Sequence, residues 1–113
     1  MQEYRLYLED ILESIKKIEK YTKDITSYEK FFKEELIIDG VVRNLEIIGE
    51  ATKNIPIEIR KKYPNVEWKK ISGLRDILIH AYSGVDLNII WDIIINKLPE
   101  LKSSVKEILE NLN

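Results

Sequence analysis

Apolar residues recur along this chain at intervals of three and four, the period of a helix that buries one side. Tyr4, Leu8, Ile11, Leu12, Ile15 and Ile18 follow that spacing and predict a first helix over residues 3–22. Asp24, Thr26 and Ser27 punctuate the chain, and a short helix from Tyr28 to Lys33 follows. Ile38, Val41, Val42, Leu45, Ile48 and Ala51 predict a long helix from Glu35 to Asn54. Pro56 and Pro64 bracket a short basic helix, since proline suits a helix start and restricts the residue before it. A further helix is expected from Val66 to Tyr82, with Gly73 inside it. Glycine is unfavourable there relative to alanine, and a close backbone contact would explain its presence. Ser83 and Gly84 end this helix, and Asp86 is a candidate N-cap for the next. That helix turns Leu87, Ile90, Trp91, Ile94 and Ile95 inward, and Pro99 breaks or kinks it. A last amphipathic segment reaches Leu112. No internal repeat, low-complexity linker or domain boundary is visible. The expected fold is all-α, an antiparallel bundle of four to five helices in one domain over residues 1–113.

Composition supports that picture. The chain has 113 residues, 44% hydrophobic and 34% charged, which is enough for a real core in a helix-rich domain. Isoleucine raises the local β propensity, but the period and the segment lengths favour helices. Without cysteine there is no disulfide, thiolate nucleophile or zinc–thiolate site. No apolar signal region opens the sequence and no apolar run approaches a membrane span, so the cytoplasm is the expected location. The net charge of -2 argues against a protein that coats nucleic acid nonspecifically. The charge is unevenly placed, however. Between Pro56 and Arg75 the cations Arg60, Lys61, Lys62, Lys69, Lys70 and Arg75 face only Glu58 and Glu67. Such a run is ordinarily a solvated surface. Here it leads into the segment with the richest chemistry, where it would guide a polyanion.

That segment is Arg75-Asp76-Ile77-Leu78-Ile79-His80-Ala81-Tyr82, and it holds the chain's one histidine. At helical spacing Arg75 and Tyr82 fall about 20° apart. Asp76 and His80, one turn apart, form a second stripe beside them. Leu74, Ile77, Leu78 and Ala81 take the opposite, core-like side. A cation, a carboxylate, an imidazole and a phenol sharing one face suggest chemistry on phosphate groups. Ile79 projects into that polar face between Arg75 and His80. A lone exposed isoleucine is ordinary. Among groups that work best when partly desolvated, it points to a subunit interface. A two-fold homodimer would bring the patch from each chain together and supply a second histidine.

The Arg-x-x-x-x-His-x-Tyr pattern of Arg75, His80 and Tyr82 resembles the signature of HEPN-domain toxins of the HepT type. The segment from Val42 through Arg43, Asn44, Glu46, Gly49 and Glu50 to Ala51 is similar to the family's long helix. Trp68, Gly73-Leu74-Arg75-Asp76, Val85-Asp86 and Trp91 follow in family-like order, so the resemblance covers nearly the whole chain. It implies an all-α bundle that dimerises, with a ribonuclease cleft lined by the motif of both chains. It also implies an RNA substrate and a toxin–antitoxin pair of the type VII kind. In such a pair a small nucleotidyltransferase antitoxin, MntA, transfers AMP from ATP to the motif tyrosine, here Tyr82. No cofactor or metal is expected. Asp76 stands where relatives often carry asparagine or another polar residue, which changes the local charge.

Physical chemistry fits that implication. RNA cleavage without a metal needs a base for the 2′-OH proton, an acid for the leaving 5′-oxygen and a cation for the phosphorane. An unperturbed imidazole titrates near neutral pH, so His80 can act as either base or acid. Arg75 holds phosphate oxygens with a planar fork. Asp76 would fix the tautomer of His80 or raise its proton affinity. Plainer readings stand beside these. His80 pairs structurally with Asp76, and Tyr82 is a partly buried aromatic near a helix end. Asp76 and His80 as a metal pair lack third and fourth ligands. Asp39, Arg43, Glu46 and Glu50 on the long helix are either a salt-bridged stripe of small energetic weight or a support that holds Arg75 in the cleft. The alternative to an enzyme is a catalytically silent helical module that docks a small nucleotidyltransferase and presents nucleotide or substrate to it.

Overall fold

In the computed structural model, residues 4–80 and 86–112 are described, and of His80 only its place in a helix. Two long helices, α1 (Tyr4–Thr22) and α3 (Glu35–Lys53), form the centre, joined through the five-residue α2 (Tyr28–Phe32). They run antiparallel. Tyr21, late in α1, lies against Gly40, early in α3, while Tyr7 and Asp10 meet Glu50 and Asn54 at the other end. Leu8, Ile11, Ile15 and Ile18 of α1 are buried with Val41, Leu45 and Ile48 of α3, the residues that the apolar period selects. Two buried threonines donate their hydroxyls within their own helices, Thr22 to the Ile18 carbonyl at 2.8 Å and Thr52 to that of Ile48 at 2.7 Å. The short connection between α1 and α3 is held by Phe31, whose fully buried ring stacks on Trp91 at 5.1 Å between centroids. Such a ring pair contributes about 0.5–1.5 kcal/mol beyond its buried area.

Beyond α3 the chain makes α4 (Ile57–Lys62), α5 (Trp68–Ser72) and α6 (Leu74–His80). One expected helix over Val66–Tyr82 is therefore two within the described residues, divided at Gly73. Gly73 caps α5, and its N–H is shared between the carbonyls of Lys69 at 3.1 Å and Lys70 at 3.2 Å. The close approach that the sequence suggested for Gly73 occurs at Gly49 instead. A Cβ on Gly49 would lie 3.3 Å from the Ile71 oxygen and 3.5 Å from Leu74 Cβ, whereas one on Gly73 would meet only the preceding turn of its own chain.

Asn88–Asp92 (α7), a π-helical turn over Ile93–Lys97 and α8 (Leu98–Asn111) form one continuous helical run. The carboxylate of Asp86 accepts the Asn88 N–H at 2.9 Å, so it satisfies an early donor of this run as a cap does. Pro99 does not break the run. Proline lacks an N–H and collides with the carbonyl four residues earlier. The wider π turn precedes it, with the Leu98 N–H donating to the Ile93 carbonyl, and Pro99 sits in the first turn of α8. Ile93 and Ile94 are buried there, and Ile95, expected inward, is 49% exposed. Among the described residues there is no strand, and no helix is long and apolar enough to cross a membrane.

Candidate functional site

The motif helix is placed by small and apolar contacts rather than by its polar groups. The Trp68 side chain is buried at the start of α5, and its indole N–H donates to the Tyr63 carbonyl at 3.0 Å. The α5–α6 elbow then crosses α3 at Gly49, where backbone atoms fill the space of a missing side chain. Leu74 and Leu78, one turn apart, are 6% and 2% exposed and fasten α6 to the core. With that stripe inward, helical spacing turns Arg75, Asp76 and Ile79 out, and all three are exposed. The sequence places Leu74 and Leu78 inward and Arg75, Asp76 and Ile79 on the polar face, and the structure agrees.

Arg75 and Asp76 present their charges to solvent. Among the described residues, none of the ion pairs includes Arg75, Asp76 or Arg43. The guanidinium of Arg75 lies at the exposed surface of α6. Ile79, 58% exposed, borders it. His80 closes α6 one turn after Asp76. Tyr82 lies outside the described residues.

Arg43 and Glu50, the candidate supports, face another neighbour. They line a groove of about 350 Å³ with Glu46 of α3 and Tyr7 and Asp10 of α1. Glu50 pairs with Lys53 at 3.1 Å. No hydrogen bond or ion pair among the described residues joins Arg43 or Glu50 to Arg75. The basic run also divides. Arg60 donates Nε to the Ile55 carbonyl at 3.0 Å and Nη2 to the Thr52 carbonyl at 2.8 Å, closing the end of α3. Lys70 pairs with Glu67 at 2.9 Å. Lys61, Lys62 and Lys69 remain as exposed cations of this stretch beside Arg75.

A polar helix edge on an all-α scaffold, with arginine and histidine five residues apart, is now defined. The family model described as ribonuclease HepT-like matches residues 11–108, which takes in α6 and most of the chain. This chain belongs to the ribonuclease HepT-like family. It is 48% identical over 110 residues to a candidate RNase of Caldanaerobacter subterraneus subsp. tengcongensis, covering 97% of each chain. It is 41% identical over 102 residues to the probable ribonuclease HepT of Thermococcus cleftensis, covering 90% of this chain and 92% of that one. A Methanocaldococcus jannaschii protein whose name joins gamma-glutamylcyclotransferase to a candidate RNase is 46% identical over 112 residues. This HepT-like chain spans 50% of that longer protein. No solved structure matches.

Two residues have structural roles that the sequence does not indicate: Gly49 beneath the α5–α6 elbow and Arg60 at the end of α3. Gly49 carries the same signal as Gly73, a glycine within a helical pattern, which often marks close packing. Arg60 gave no separate signal, because a cation in a basic run reads the same whether it caps a helix or faces solvent.

Proposed function

We propose that this HepT-like chain is a metal-independent endoribonuclease, the toxin of a toxin–antitoxin pair, acting as a homodimer. The observation that carries the reading is the exposed guanidinium of Arg75, which makes no ion pair among the described residues, on the helix that ends in His80 and carries the exposed Ile79. Arg75 grips the non-bridging oxygens of the scissile phosphate. One His80 removes the 2′-OH proton, and the freed 2′-oxygen attacks phosphorus. The His80 of the second copy protonates the departing 5′-oxygen as its bond to phosphorus breaks. The products are a 2′,3′-cyclic phosphate and a 5′-hydroxyl. Asp76, one turn before His80, orients its ring. The names of the relatives, RNase in several cases, support this class of reaction.

The antitoxin in this reading is an MntA-like nucleotidyltransferase that attaches AMP to Tyr82. Cleavage of RNA in EDTA by the unmodified protein and by His80→Ala tests the proposal. Activity in the first and none in the second supports it. Cleavage abolished by EDTA, or retained by His80→Ala, overturns it. Tight binding of a nucleotidyltransferase with no cleavage of any RNA would favour the silent module instead.

A further inference from the structure

On the side of α6 that carries Ile77, opposite Arg75, a cavity of about 720 Å³ separates α5 and α6 from the π turn and α8. Its walls are apolar, with Ile71, Leu74 and Ile77 on one side and Ile93, Leu98 and Leu101 on the other. That volume lies within the usual range for small-molecule sites. One wall is the π turn, a geometry found mostly as single turns and frequently at functional sites.

The rim is charged and crosses the cavity. Glu67, just before α5, faces Lys70 at 2.9 Å and Lys97 of the π turn at 3.7 Å. Two ammonium groups thus share one carboxylate, a positive excess confined to this end, since Glu100 brings the lining to two cations and two carboxylates. Lys70, by hydrogen bond and charge, and then Lys97 by its charge, hold the Glu67 carboxyl below its ordinary value. Glu100, the other carboxylate on the wall, takes part in none of the ion pairs among the described residues. An anionic ligand seated at the Glu67 end, rather than beside Glu100, would meet the two cations held there and displace Glu67 from one of them.

We infer that this cavity is a binding site for a small amphipathic anion, an apolar body between α6 and α8 with its anionic group on Lys70 and Lys97. Such a ligand would brace the helix that carries Arg75 from the side opposite its polar face. The site stands independently of the ribonuclease reading, because none of its contacts uses Arg75 or His80.

The test uses the full chain and three ten-carbon probes that differ in head group: decanoate, decanol and decyltrimethylammonium. Calorimetry should give saturable binding of one decanoate per chain, with slower amide exchange in α6. Lys97→Glu should weaken decanoate about fivefold, the upper range for one exposed charge pair. Glu67→Gln should strengthen it and leave decanol unchanged. Ser104→Phe, which places a ring into the cavity from α8, should block it. Equal binding of decanol, or preference for the cationic probe, overturns the assignment of an anion. No saturable binding, or binding indifferent to Ser104→Phe in a folded variant, overturns the site. Filling of the cavity by a second copy would appear as dimers broken by Ser104→Phe, and would also overturn it.

Discussion

Gly49 of α3 and Ile71 of α5 meet backbone to backbone, so closely that a Cβ on Gly49 would stand 3.3 Å from the Ile71 oxygen. This contact sets where the elbow crosses α3, and so where α6 presents Arg75. A carbonyl oxygen in an elbow fixed by buried Trp68 and Leu74 has little room to retreat. Alanine at Gly49 would gain about 1 kcal/mol of helix propensity, set against about 1–3 kcal/mol for crowding. We expect Gly49→Ala to be near neutral or mildly destabilising. Gly49→Val, with two further methyls and poorer helix propensity, should lower stability by about 2 kcal/mol or more. Denaturant unfolding of both variants checks this. Equal stability of Gly49→Val and the parent would mean that the elbow does not rest on this glycine.

The helical period made the fold legible. The stripes of α1 and α3, the burial of Leu74 and Leu78 and the exposure of Ile79 all follow from spacing. Register was lost where a local device changes the geometry. Ile95 turns outward because the π turn adds a residue to the helical repeat before Pro99. The break at Gly73 went unread because a glycine in a helical pattern does not say whether it caps one helix or packs inside another. At the site, spacing gave the face of α6. It did not give partners, because those depend on which helix lies alongside. Arg43 and Glu50 belong to a groove with α1, which no pattern within α3 alone indicates.

Arg60 donates to the Thr52 carbonyl in the last turn of α3, which also accepts the Ile55 N–H at 3.1 Å, and to the Ile55 carbonyl just beyond that helix. Arg60→Ala should lower stability by about 1–3 kcal/mol, since hydrogen bonds from a charged group contribute more than neutral ones. Arg60→Lys should recover only part of this, because a single ammonium does not reproduce the planar fork. Lys61→Ala and Lys62→Ala, on the exposed side of α4, should stay within about 0.5 kcal/mol of the parent. Thermal and denaturant unfolding separate the cases. Similar losses for all three positions would contradict the capping role.

Arg75 is exposed and makes no ion pair among the described residues, so it contributes little to folding. We expect Arg75→Ala to change stability by no more than about 0.5 kcal/mol. RNA cleavage should fall about a hundredfold or more, the scale for loss of an electrostatic clamp on a transition state. His80→Ala should lose activity on a similar scale, as for removal of a general acid or base. Arg75→Lys should recover only a minor part, since the ammonium cannot grip two oxygens in one plane. Full activity in either alanine variant would exclude the role given to that residue.

Tyr82 follows Arg75 by seven residues in the sequence, a spacing that would place the two on nearly the same side of a continuous helix. Its position in the sequence motivates the expectation that AMP on its hydroxyl would bring negative charge to Arg75 and block the substrate backbone. Incubation with a cognate nucleotidyltransferase and ATP, followed by peptide mass spectrometry, should show one or more AMP units on the Tyr82 peptide. Tyr82→Phe should show none and should escape neutralisation. Neutralisation without any mass change would assign inhibition to occlusion instead.

Ile79 is 58% exposed on the face of α6 that carries Arg75, although an isoleucine gains nothing from water there. Burial against a second copy would remove this surface and exclude water from the phosphate-binding groups, which strengthens their interaction with an anion. Ile79→Glu should therefore place a carboxylate in a dimer contact and shift the protein to monomer in sedimentation velocity. Two like charges would meet near a two-fold axis, each desolvated without a partner. Activity should vanish with the dimer if each copy supplies one His80 to the reaction. Ile79→Val should retain both association and cleavage, since it removes one methylene and introduces no charge. A stable, active dimer of Ile79→Glu would place the interface elsewhere. A monomer with full activity would show that one chain holds the complete site.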